Sequence, residues 1–143
     1  MPPRNRTPEA TWHRAKPAPV VLVSGPETLL ASRAVERIHL AVGKAADVTV
    51  LDAGAYNAGA LVAAASPSLF AEPGLVIVEG AEAMNDAFLA DSLAYAAAPD
   101  PDVVVVIRHG GGVRGKRLLD TLRKGDVGLA TGILVILTLL ILP

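Results

Sequence analysis

The 143-residue chain contains no cysteine. A disulfide framework and a thiolate metal site are therefore excluded. Its three histidines, His13, His39 and His109, are scattered without any metal-ligand spacing, so no zinc chemistry is expected. Aromatic residues make up only 3 % of the chain, which leaves aliphatic side chains to build the core. Basic residues are missing from a long central stretch. Lys44 and Arg108 are successive cations, and the 63 positions between them hold nine acids and no Lys or Arg. The formal net charge of -1 conceals this asymmetry. Contacts with anions or nucleic acid must come from Arg4, Arg6, Arg14 and Lys16, or from Arg108, Arg114, Lys116, Arg117, Arg123 and Lys124. A solvated surface is the plainer reading of both groups. The first 19 residues also lack the apolar core of a secretory signal, which sets the expectation of a cytoplasmic protein.

A hydrophobic content of 52 % in a chain of this length suits one domain with a proper core. Residues 1–19 carry five prolines and read as a disordered leader. Apolar, largely β-branched runs at 20–23, 48–51, 75–78 and 103–107 read as strands. Helical spacing is expected over 28–42, 58–65, 83–97 and, as a basic helix, 114–124. Strands alternating with helices predict an α/β domain with a parallel sheet and helices on both faces. Residues 127–143 carry no charge. As a helix, 127–142 would reach about 24 Å, short of the roughly 30 Å hydrocarbon core. A buried fifth strand, a tail anchor and a frameshifted or truncated end are the three readings of this run.

The turn after the first strand is where a mononucleotide-binding α/β domain holds phosphate, with the pattern GxxxxGK[ST]. Here Gly25 and Ser32 are in register, but Leu30 and Ala31 replace the second Gly and the Lys, and Glu27 adds negative charge. A triphosphate would find no cation there, so this reads as a phosphate loop without its ligand, or as a plain strand-to-helix turn. A second partial match runs from Gly110 through Arg114 and Gly115 to Lys116. It is weakened by Arg117, which stands where a hydroxyl should meet magnesium, and by its place after the fourth strand. Ser24, Ser66 and Ser68 have no evident His partner, and Asp100 and Asp102 mark the approach to a strand. No catalytic residue and no metal ligand is assigned. The stretch SPSLFAEPGLVIVEG sets Leu69 and Phe70 in turn-prone surroundings, broken by Pro73 and Gly74 before the third strand. The pair is either tucked under a neighbouring helix or exposed as an anchor for another protein.

Three blocks, VVLVSGPETLLASRAVERI, ASPSLFAEPGLVIVEGAEA and PDVVVVIRHGGGVRGKRLLDTLRK, resemble in this order the delta subunit of the bacterial DNA polymerase III clamp loader. The resemblance covers about residues 20–124, and the alanine-rich composition is similar to that of actinobacterial members. It implies a three-layer α/β first domain of the P-loop/AAA+ type over 20–126, with a degenerate phosphate loop that binds no ATP. The implied role is DNA replication without catalysis of its own, inside a DNA-directed DNA polymerase (nucleotidyltransferase) holoenzyme. In that family a Ser-Leu-Phe motif before the third strand is the apolar wedge that binds the ring-shaped sliding clamp and helps open it. The matching positions are Ser68, Leu69 and Phe70, with Pro67 shaping the turn, and the resemblance thus favours the exposed reading of the pair. The implied partners are the sliding clamp (beta subunit) and, in a full-length family member, the other loader subunits and, through the complex, DNA. No cofactor is implied, and no membrane contact is expected beyond the tail-anchor reading of 127–143. Delta subunits continue into a helical lid-like domain and a collar domain, and after Lys124 the likeness stops. The alternative is a small nucleotide-binding protein using Gly110 to Lys116, with Arg114, Lys116 and Arg117 as anion contacts.

Overall fold

The apolar runs show little polar alternation because both faces of the sheet they form are covered. In a computed structural model that describes residues 9–11, 15, 17–66, 72–124 and 133–137, these runs become β2 (Val20–Ser24), β3 (Asp47–Asp52), β4 (Gly74–Glu79) and β5 (Val103–His109). Two further strands lie outside the four expected runs, β1 (Glu9–Thr11) and β6 (Ile133–Leu137). The sheet order is β1-β6-β2-β5-β4-β3, and every pairing is parallel. Parallel neighbours require crossover connections. These contain α1 (Thr28–Val42), α2 (Ala60–Ala64), α3 (Asp86–Ala97) and α4 (Lys116–Lys124).

Successive strand residues point to opposite faces, so each strand contributes to two cores. Val21 and Val23 of β2, Leu75 and Ile77 of β4 and Val106 of β5 meet Ala31, Ala34 and Ile38 of α1. On the other face Val20, Leu22, Val76, Val78, Val105 and Ile107 meet Leu61 of α2, Phe88 of α3, and Leu118 and Leu122 of α4. The domain is therefore α/β, with α1 on one face of the parallel sheet and α2, α3 and α4 on the other among the described residues. Phe88 is fully buried and meets the Tyr56 ring edge-on, with centroids 5.2 Å apart, a favoured geometry for an aromatic pair.

Several boundaries differ from the sequence expectation, each for a local reason. The helix expected over 83–97 begins at Asp86, because the Asn85 side-chain oxygen accepts the Phe88 N–H at 2.9 Å and caps it. Ala81–Ala83 instead form a 3-10 turn, and Met84 is buried just ahead of the cap. The helix expected over 114–124 begins at Lys116, after a turn in which Gly115 has φ +77°. That φ is strained for any other residue, and a Cβ there would also force the end of the buried Met84 side chain to shift. Glu9–Thr11, inside the segment read as a disordered leader, is a strand paired with β6. Within the uncharged run 127–143, Ile133–Leu137 is a strand between β1 and β2. Among the described residues no helix is long and apolar enough to cross a membrane.

Candidate functional site

From β2 the chain passes to α1 on one face of the sheet, whereas from β4 and β5 it passes to α3 and α4 on the other. Where connections part in this way, the carboxyl ends of the strands leave the crevice in which open α/β sheets bind ligands. A cleft of about 420 Å³ lies there, lined among others by Gly25, Thr28, Ala31, Glu79, Glu82, Arg108, His109 and Gly110. The first loop brings no Lys or Arg of its own to the cleft, and two of its positions offer it no amide. The Gly25 N–H donates to the His109 carbonyl at 3.0 Å, and Pro26 has no N–H to offer. Ala31 is buried against the sheet, and Leu30 beside it is half-buried. The Ser32 hydroxyl, in register with the metal-binding hydroxyl of a phosphate loop, accepts a hydrogen bond from Arg108 Nη2 at 3.3 Å.

Arg108 is the one Lys or Arg among the described residues lining the cleft, and it is 3.5 Å from Glu79. With Glu82 also on the wall, the cleft presents two carboxylates against one guanidinium. A polyphosphate entering it would be repelled and would have to separate an ion pair. Among the described residues no group of three or more His, Asp or Glu is placed to hold a metal ion.

The second loop is occupied by its own neighbours. The Gly110 N–H donates to Glu82 Oε1 at 2.9 Å, and the Gly111 N–H donates to His109 Nδ1 at 3.1 Å. His109 is buried. Because its Nδ1 accepts, Nε2 carries the hydrogen and donates it to the Arg114 carbonyl at 2.8 Å. Arg114 Nε donates to the Met84 carbonyl at 2.8 Å, and its guanidinium pairs with Asp86 at 3.1 Å. Arg114 thus ties the loop to the start of α3. Lys116 and Arg117 are exposed at the first turn of α4.

Pro67, Ser68, Leu69 and Phe70 lie outside the described residues, but the residues on either side of them are described. Ser66 closes α2 by donating its hydroxyl to the Val62 carbonyl at 3.0 Å. Pro73, just before β4, accepts the Asp47 N–H at 2.9 Å. Those flanks stand at the amino ends of the strands, across the sheet from the cleft. A groove of about 470 Å³ opens beside Ser66, lined by Val62, Ala65, Ala94, Tyr95, Ala98 and Pro101 with Asp91 and Asp100. Val62 is 60 % exposed there. Asp100 Oδ1 accepts the Asp102 N–H at 2.8 Å, so these acids shape the turn into β5.

Behind the groove, the Tyr56 hydroxyl donates to Asp91 Oδ2 at 2.6 Å, and the Gly59 N–H donates to the same oxygen at 2.9 Å. The Tyr56 hydroxyl also accepts the Leu61 N–H at 2.8 Å. This group is not evident in the sequence, because an Asp on a helix carries no sign of a partner 35 residues away. The Tyr56 hydroxyl, and then the Gly59 amide, hold the Asp91 carboxyl below its ordinary pKa, against an opposing desolvation. Burial, and then the bond to Asp91, push the Tyr56 phenol up. A carboxyl lowered on folding stabilises at every pH above its unfolded value of about 4 and loses that contribution as pH falls through the lower folded value. Hydrogen-exchange protection at Gly59 and Leu61 is therefore expected to hold from neutral pH down to about pH 4 and to fall below it. In Asp91→Asn the acid-dependent step should disappear, and its persistence would assign the step to another group.

No protein-family model matches this chain, and no curated protein matches it in sequence.

Proposed function

We propose that this chain is a non-catalytic clamp-binding module of DNA replication, similar to the AAA+-related first domain of a clamp-loader delta subunit. In this reading Leu69 and Phe70 insert into the sliding clamp, and Pro67 and Ser68 shape the turn that presents them. It acts in the cytoplasm, and contact with the other loader subunits, and through them with DNA, belongs to a full-length family member. The observation that carries the reading is the cleft at the carboxyl ends of β2, β4 and β5. It has the position of a phosphate site, yet Glu79 and Ser32 engage its one guanidinium while the amides of Gly25 and Gly110 are already bonded. The delta resemblance implies an AAA+-related domain whose phosphate loop is degenerate and binds no ATP, and a cleft without a free cation is in keeping with that. Strand order adds support. With β2 to β6 counted as first to fifth, the order is 2-3-4-1-5, which differs from both the dinucleotide-binding and the flavodoxin types.

The test is titration of a bacterial sliding clamp with the purified chain, followed by calorimetry. A saturable complex is expected, and heats no larger than those of dilution would remove the proposal. Binding of labelled ATP separates it from the alternative use of Gly110 to Lys116. No ATP affinity tighter than millimolar is expected, because the Gly110 and Gly111 amides already have acceptors. Magnesium-dependent binding that disappears in Lys116→Ala would establish the alternative instead.

A further inference from the structure

We propose that the outward side of α1 is a docking surface for α1 of a second copy of this chain, the two helices running antiparallel about a twofold axis. The proposal does not depend on clamp binding. α1 turns Ala31, Ala34 and Ile38 to the sheet. Helical periodicity then sets Leu29, Arg33, Glu36 and Leu40 within about 60° of arc on the opposite side. All four are exposed, Leu29 at 63 % and Leu40 at 62 %. The two leucines thus stand at either end of one stripe about 16 Å long, with a cation and an anion between them.

The steps along the stripe, four residues, three and four, are those of the seam between two packed helices. Its order, apolar, basic, acidic, apolar, is complementary to itself. In an antiparallel pair centred between Ala34 and Val35, Leu29 meets Leu40 of the second copy and Arg33 meets its Glu36, and the twofold axis repeats both contacts. Parallel pairing would set Arg33 against Arg33 and Glu36 against Glu36, which repulsion disfavours. A slip of one turn would set Leu40 against Arg33. The charges therefore select both the direction and the register, and the leucines supply the area removed from water. Contact along one helix is smaller than the interfaces of about 1,200 Å² or more that hold stable complexes, so a dissociation constant on the order of 0.1 mM is expected.

The experiment is sedimentation equilibrium of the full chain, wild type and variants, with the thermal midpoint of each followed by circular dichroism. Wild type is expected to be in monomer–dimer equilibrium. Leu29→Gln/Leu40→Gln removes the apolar ends with two good helix formers at exposed positions, and should be monomeric with the wild-type midpoint. Arg33→Glu alone and Glu36→Arg alone each set like charges opposite one another twice, and should weaken self-association about tenfold or more. Mixed together, these two variants regain both ion pairs and should form a heterodimer as tight as the wild-type dimer. The double exchange Arg33→Glu/Glu36→Arg in one chain should likewise restore self-association. That recovery also answers any loss of folding in the leucine variant, because it shows that the charge variants are folded and that the contact is reciprocal. A wild type that stays monomeric at about 1 mM chain, ten times the expected constant, overturns the proposal. So does self-association that survives both leucine substitutions, or a mixture of the two charge variants that associates no better than either one alone.

Discussion

Replacement of Leu69 and Phe70 together by alanine is expected to abolish clamp binding while leaving the stability of the domain within about 0.5 kcal/mol of wild type. Two such side chains leaving water for an apolar pocket supply about 3–6 kcal/mol gross, less the cost of ordering them. Loss of even 3 kcal/mol is more than a hundredfold in affinity, enough to remove a modest interface from a calorimetric titration. The two side chains should act together, since a wedge with half its volume leaves part of the pocket unfilled. Clamp affinity and urea midpoint are to be measured side by side on the wild type and the double variant. An unchanged affinity defeats the wedge assignment, and a large fall in midpoint places the pair in the core instead.

The chain has a second phenylalanine, and the opposite result is expected for it. Phe88→Ala should cost about 3–5 kcal/mol, a large part of the 5–15 kcal/mol typical of a whole domain. Phe88 is fully buried, meets the Tyr56 ring edge-on and has its own N–H held by the Asn85 cap. Its removal leaves a cavity between α3 and the sheet that Val76 and Leu22 cannot fill from a rigid strand. Urea unfolding monitored by circular dichroism should show a lower midpoint with an unchanged slope. Residual clamp binding should track the folded fraction. A loss under about 1 kcal/mol would mean that the site collapses freely and that the packing described for this face is wrong.

The contrast between the two phenylalanines shows how much can be read in the chain. Phe88 stands among apolar residues at helical spacing and is buried as that pattern implies, whereas for Phe70, set off by Pro67, Pro73 and Gly74, local pattern leaves both a buried and an exposed reading open. The same pattern locates β2 to β5 to within two residues at either end, because β-branched runs closed by Gly, Pro or acids have few other ways to satisfy backbone and side chains. It also shows that the turn after β2 carries no lysine, since Ala31 stands at the position a GxxxxGK[ST] pattern gives to one. The start of α3 at Asp86 is less evident, since the cap at Asn85 competes with an equally apolar stretch just before it. Ile133–Leu137 is apolar enough for several fates, and composition alone does not choose among them.

What the sequence alone determined is the strand or helix character of the segments between Val20 and Lys124 and the absence of a cation at the first loop, because those follow from properties of neighbouring residues. Tertiary structure alone decided the order of the strands, with β6 beside β2, and hence which carboxyl ends face one another. It also decided that Arg108 reaches Ser32 across 76 positions and is met there by Glu79, that Glu82 takes up the Gly110 amide of the second loop, and that Asp91 reaches back 35 positions to Tyr56. Each of these contacts joins polar groups whose separation in sequence carries no periodic signal. Only the folding of the apolar segments into one sheet brings them within hydrogen-bonding distance.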